Sequence, residues 1–117
     1  MTDDTTRQGV LLAFYTRARA RHDGMLVSEW LLQQAKHAGL GGGSVFRAIA
    51  GFGRHGVLHE AQFFELADDL PVKVEFLLTN AQADALLQRA RDAGVDAVYA
   101  STPASFGIVA ASATGAK

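Results

Sequence analysis

The sequence contains no cysteine, two prolines and one tryptophan among its 117 residues. The absence of cysteine excludes disulfides, thiolate metal sites and cysteine nucleophiles. The net charge of −1, from 11 basic and 12 acidic residues, provides no overall attraction to nucleic acid or to an anionic membrane. The apolar run at 10–15 is far shorter than the roughly 20 residues that a membrane-spanning helix needs.

The N-terminus is polar and acidic and therefore does not resemble a secretory signal. We expect a cytoplasmic protein with no nucleic-acid partner and no direct membrane insertion. The length and the 49% hydrophobic content predict one domain over residues 1–117. The polar ends, 1–8 and 110–117, are predicted to be disordered tails.

Glycine is abundant where other turn formers are scarce. Seven of the 12 glycines lie in GLGGGSVFRAIAGFGRHG, residues 39–56, on both sides of a predicted strand. One interpretation is local: Gly41–Gly43 form a tight turn, and Gly51 and Gly53 mark a bulge. The other is a cradle of backbone N–H groups for an anion. The stretch matches neither a Walker A loop nor a complete dinucleotide fingerprint.

Periodicity predicts the order strand, helix, strand, strand, helix, strand. This is the split βαβ, or ferredoxin-like, α+β arrangement, with two helices on one face of an antiparallel sheet. Residues 57–69 remain ambiguous between a hairpin, a short helix and a loop. The predicted strands are 10–16, 44–52, 72–78 and 95–100, the last interrupted by Pro103, and the predicted helices are 25–38 and 79–93.

The ends of both helices carry capping signals. Asp23 is placed to cap the first helix, and Gly39 follows its last residue. Thr79 and Gln82 have the spacing of a capping box, and Gly94 ends the second helix. The face of the sheet away from the helices is predicted to be apolar and covered by self-association, with Phe14, Val45, Ile49 and Tyr99 lining it.

Several polar residues are candidates for chemistry. Arg17, Arg19 and Arg21 alternate with alanine and would share one side of an extended chain, as in an anion-binding patch or a solvated loop. His55 and His59 are four residues apart, as metal ligands on a helix are, but no second ligand pair accompanies them. No serine has the context of a nucleophile elbow, and no pair of catalytic carboxylates is visible.

With these residues in view, the chain resembles the PII signalling superfamily, and most of all a PII-like family of unknown function. The resemblance covers roughly residues 10–100 and rests on two blocks in the right order. They are HDGMLVSEWLLQQAKHAGLGGGSVFRAIAGFGRHG and LADDLPVKVEFLLTNAQADALLQRA. It implies a homotrimer with ligand clefts between subunits and a loop over 53–70 that contacts a partner protein, such as a membrane transporter or an enzyme.

The resemblance also implies a non-catalytic regulator with no bound cofactor or metal and with an adenine nucleotide or a small anion as ligand. The segments at 94–97 and 110–113 lack the phosphate-holding residues of nucleotide-binding PII proteins, which favours a smaller ligand, such as a monophosphate, a cyclic nucleotide or bicarbonate. A small ferredoxin-like enzyme and a metal-handling or structural trimer are the alternatives. The implied ligand-binding residues are Arg47, Gly51, Phe52, Gly53, Arg54 and His55.

Overall fold

A computed structural model describes residues 6–52, 58–60 and 70–110 of the chain. Eight strands and two helices occupy these ranges. They are β1 (Arg7–Arg17), β2 (Arg21–His22), β3 (Met25–Leu26), α1 (Val27–His37), β4 (Ser44–Arg47), β5 (Ala50–Phe52), β6 (Leu58–Glu60), β7 (Pro71–Leu78), α2 (Asn80–Ala93) and β8 (Val98–Phe106).

The main sheet has the strand order β4-β7-β1-β8, and every neighbouring pair in it is antiparallel. The two crossovers run through α1 and α2, as the split βαβ arrangement requires. The predicted ferredoxin-like α+β fold is therefore confirmed. Two small hairpins stand apart from the main sheet, one formed by β2 and β3 and the other by β5 and β6.

The core lies between the helices and one face of the sheet. Alternate residues of β7 are buried, as the sequence pattern predicts, while Lys73 and Glu75 lie on the opposite face. The rings of Phe14 and Phe76 pack edge to face, 6.3 Å apart. The helices contribute a stripe of apolar side chains. The largest fully buried side chains are Leu12, Leu31, Val74, Phe76, Leu78 and Leu86.

Local signals set both ends of α2. The Thr79 hydroxyl accepts the Gln82 N–H at 3.2 Å, and the Gln82 side chain accepts the Thr79 N–H at 2.9 Å, so the capping box is confirmed. Gly94 adopts the left-handed conformation, at φ +74°, where side chains are disfavoured. The predicted stop is also confirmed.

The predicted cap on α1 is wrong. Leu26 is the N-cap residue and provides no side-chain hydrogen bond. Asp23 and Gly24 instead form the two-residue turn of the β2–β3 hairpin, with φ values of +52° and +79°. Positive φ at both positions is typical of hairpin turns, and Asp-Gly is a favoured pair there.

Two predicted strands differ from the structure. The strand predicted over 44–52 is divided into β4 and β5 because the Ala48 N–H turns to the Pro71 carbonyl at 2.9 Å. β5 then pairs with β6, in keeping with the hairpin alternative for residues 57–69. The last strand runs through Pro103 rather than ending before it. β8 pairs only with β1, and an edge strand tolerates a residue with no N–H.

The prediction for the open face of the sheet was partly wrong. Phe14 is buried in the core, and Tyr99 and Val45 lie opposite core residues on the helix side. Ile49, the fourth, is 84% exposed between β4 and β5. The face away from the helices, which we call the outer face, is nevertheless apolar. Its large apolar side chains are Leu11, Tyr15, Phe46, Leu77 and Val98.

Candidate functional site

An open cleft of about 690 Å³ lies on the outer face at one end of the sheet. Its volume is within the usual range of small-molecule sites. Five parts of the chain meet there: the starts of β1 and α2, the ends of β7 and β8, and the glycine-rich turn before β4. The lining residues are Arg7, Leu11, Gly41–Ser44, Glu75–Leu77, Gln82 and Phe106–Ile108.

The floor of the cleft is largely apolar. Leu11 of β1 lies directly opposite Leu77 of β7, so both side chains project from the outer face. Half of the Leu77 surface is exposed, although α2 begins only two residues later. Phe106 adds an aromatic ring at the neighbouring edge. These three side chains form a surface against which a flat, partly apolar ligand can pack.

Polar groups lie along the β4 side of the same floor. Ser44 is paired with Glu75 across the β4–β7 ladder, so the hydroxyl and the carboxylate share the outer face. The Glu75 carboxylate lies 3.2 Å from Lys73 Nζ, which also lies 5.1 Å from the centre of the Phe46 ring. A serine hydroxyl both donates and accepts, and the carboxylate accepts, so this side offers both hydrogen-bonding roles.

The glycines of the turn before β4 have two different environments. A Cβ on Gly43 would overlap the Phe76 ring, so close packing explains this glycine. A Cβ on Gly41 or Gly42 would meet no atom within 4 Å, and neither residue has positive φ. Packing and backbone conformation therefore require glycine at Gly43 only, and the other two border the cleft.

Three of the six sequence-predicted ligand residues lie in the described part of the chain. Arg47 ends β4, Gly51 lies in β5 beside Pro71, and Phe52 is 69% exposed. None of the three lines the cleft. Arg47 follows Ser44 by three residues, about 10 Å along an extended strand. Gly53, Arg54 and His55 lie outside the described residues.

The other polar candidates lie away from the cleft. Arg17 ends β1 opposite Pro71, at the other end of the sheet, and buried Ala18 separates it from exposed Arg19. Arg21 donates to the Gly24 carbonyl at 3.2 Å. Over residues 6–52, 58–60 and 70–110, no three histidine or acidic side chains converge as a metal site. The side chains of His55 and His59 lie outside the described set, so the metal alternative is not tested.

Sequence reasoning did not find the residues that line the cleft, apart from the glycines. Glu75 and Leu77 were predicted on a strand, but nothing local indicated which partner strands would lie beside them. The usable signal was the alternation over 72–78, which places both residues on the face away from the core. Ser44, opposite Glu75, became recognisable only with the register of β4.

Solved structures with the same fold give the class of this protein. CPII, a nitrogen regulatory PII-like protein from Thiomonas intermedia K12 bound to ADP, AMP and bicarbonate, superimposes with a TM-score of 0.65 at 15% identity. The match covers 91% of this chain and 94% of CPII. A PII-like signalling assignment also belongs to a crystal structure from Thermus thermophilus, with a TM-score of 0.57 at 15% identity, covering 90% and 93% of the two chains. The chain therefore has the PII-like fold.

The family follows from sequence. The profile of the DUF190 family, described as "Uncharacterized ACR", matches residues 9–104, and the chain belongs to this family. A UPF0166 protein from Aquifex aeolicus (strain VF5) is 39% identical over 67 residues. That match covers 57% of this chain and 64% of the relative, so the chain spans less than two thirds of this curated relative. The recognition of a PII-like family in the sequence is confirmed.

Membrane insertion through a helix finds no support in the described residues. Neither α1 nor α2 is long and apolar enough to cross a bilayer.

Proposed function

We propose that this protein is a non-catalytic PII-like regulator that binds an adenine nucleotide or a small anion. The cleft on the outer face carries the proposal. It combines an apolar floor, hydrogen-bonding groups on one side and an opening to solvent, which together suit a purine ring with a polar substituent. CPII, which shares the fold, is described as bound to ADP, AMP and bicarbonate.

In the proposed pose the base packs on Leu11 and Leu77, where its edge meets Ser44 and Glu75. The phosphate points along β4 towards Arg47, about 10 Å away. The remaining residues implied by the resemblance, Gly51, Phe52, Gly53, Arg54 and His55, would follow Arg47 around the phosphate. A guanidinium is suited to an oxyanion because it offers several N–H donors in a fixed plane.

The proposed working form is a homotrimer, with each cleft completed at a subunit boundary. The apolar outer face supports this assembly because Tyr15, Phe46 and Val98 each leave more than two-fifths of their surface exposed. The loop over 53–70 then reports ligand occupancy to a partner protein, such as a transporter or an enzyme. The ligand acts by binding one state of the loop more tightly than another.

Thermal unfolding in the presence of ligands tests the proposal. The panel contains AMP, ADP, ATP, cyclic AMP and bicarbonate, each with and without magnesium. A ligand at 100 times its dissociation constant should stabilise each site by about 2.7 kcal/mol. Light scattering on the same samples measures the oligomeric state. An absence of any shift from a folded trimer overturns the proposal.

A matched pair of variants tests the placement of the phosphate. Arg47→Gln removes the cation at the end of β4, whereas Arg91→Gln removes an exposed arginine in the last turn of α2. A charge-assisted hydrogen bond contributes about 1.5–3 kcal/mol, so Arg47→Gln should weaken nucleotide binding about tenfold or more. Arg91→Gln should bind as the unchanged chain does. Equal affinity in all three proteins contradicts the proposed pose.

A further inference from the structure

Arg7 is a cation at the end of the cleft opposite Arg47. It begins β1 and lies across from Phe106 on the outer face. The side chain is exposed, lines the cleft, and forms no ion pair with a residue in the described ranges. The proposed nucleotide pose does not use Arg7, because the phosphate of that pose lies at the other end of β4.

Backbone N–H groups border the cleft near Arg7. Gly41 and Gly42 donate no backbone hydrogen bond to any residue that the structure describes. Side chains at these positions would meet no neighbour, so their absence leaves space in front of the two N–H groups. Consecutive backbone N–H groups without internal partners are common donors to bound oxyanions.

The start of α2 supplies a third donor. Gln82 lines the cleft and uses its side-chain oxygen in the capping box with the Thr79 N–H. That bond fixes the orientation of the amide and leaves its two N–H donors unused among the described residues. The positive end of the α2 dipole adds to the favourable potential for an anion.

Negative charge is nearly absent from this end. Glu75 is the single acidic residue among the lining side chains that the structure describes, and Lys73 lies 3.2 Å from its carboxylate. Arg7 therefore faces the open cleft with little opposing charge from the lining residues. A bound anion can approach it without displacing an acid.

We propose that Arg7, Gly41, Gly42 and Gln82 form an oxyanion subsite at the end of the cleft opposite Arg47. The inference rests on the proposed function and narrows its ligand class. The cleft takes a nucleotide whose base carries an acidic substituent, or a nucleotide together with a free oxyanion. Both sources offer the same chemistry, a planar or tetrahedral group of negatively charged oxygens beyond the base.

Calorimetric titrations at constant ionic strength separate the two sources. The first arm compares AMP with AMP that carries a carboxymethyl group on N6. The second measures AMP with and without inorganic phosphate, with chloride adjusted to keep the screening equal. Tenfold tighter binding of the carboxymethyl derivative assigns the subsite to the ligand itself. Tenfold tighter binding of AMP in phosphate assigns it to a free anion.

Arg7→Gln, with Arg91→Gln as the matched control, decides whether the gain arises at this subsite. Arg7→Gln should abolish the tenfold gain and leave the affinity for AMP alone unchanged, and Arg91→Gln should keep both. A gain that survives in Arg7→Gln, or no gain in either arm, overturns the inference while AMP binding sustains the proposed function. No AMP binding by the folded, unsubstituted protein overturns both.

Discussion

Gly43 lies directly against the ring of Phe76, so that a methyl group on Gly43 would overlap two ring carbons. This contact joins the glycine-rich turn to the core, because Phe76 is almost completely buried and packs edge to face on Phe14. It also sets the start of β4 beside β7, where Ser44 faces Glu75. The packing of the core and the geometry of the cleft therefore depend on the same glycine.

Gly43→Ala should destabilise the fold because the added methyl group forces Phe76 or the turn to move. Overpacking of this kind costs about 1–3 kcal/mol. Gly42→Ala is the matched control, since its Cβ would meet no atom within 4 Å. Urea denaturation at 25 °C measures both. Equal stability of the two variants would show that the Gly43–Phe76 contact is not restrictive.

Thr79→Ala should lower the free energy of unfolding by about 1 kcal/mol because it removes the hydroxyl that accepts the Gln82 N–H. Thr102→Ala removes the same hydroxyl from an exposed position on the edge strand β8 and should change stability by less than about 0.5 kcal/mol. Thermal unfolding compares them. A similar loss in both variants would contradict the role of the cap.

Phe46→Asp should dissociate the proposed trimer because it places a charge in the apolar outer face. Gln33→Asp is the control, since Gln33 is exposed on α1, on the other side of the sheet. Light scattering measures the mass of each protein at micromolar concentration. A monomeric unsubstituted chain, or a Phe46→Asp variant that still forms trimers, contradicts assembly through this face.

Leu77→Ala should weaken AMP binding about five- to tenfold because it removes half of the apolar pair under the proposed base. Val98→Ala truncates another exposed side chain of the outer face that does not line the cleft. The affinity of Val98→Ala for AMP should be unchanged. Calorimetry on both variants, with the oligomeric state checked, distinguishes a loss of contact from a loss of assembly.

The sequence predicted those parts of the fold that depend on local chemistry. The alternation over 72–78, the capping box of Thr79 and Gln82, and the stop at Gly94 are each complete within a few residues. The element order then followed, and with it the ferredoxin-like class. These signals need no knowledge of what lies across the sheet, and all of them are confirmed.

The errors arose where tertiary pairing decides the outcome. Phe14 could lie on either face of β1, since the run at 10–15 has no alternation, and only the register with β7 places it in the core. Pro103 is tolerated because β8 has a single neighbour. The cleft joins residues almost 100 positions apart, Arg7 and Phe106 among them. No local pattern in the sequence contains that information.

The most direct test of the account is a measurement of backbone amide chemical shifts during a titration with AMP. The account predicts the largest changes in the cleft, at Leu11, Ser44 and Leu77, with further changes at Arg47 near the proposed phosphate. Changes confined to other surfaces, such as the exposed sides of α1 and α2, would contradict the claim that this cleft is the ligand site.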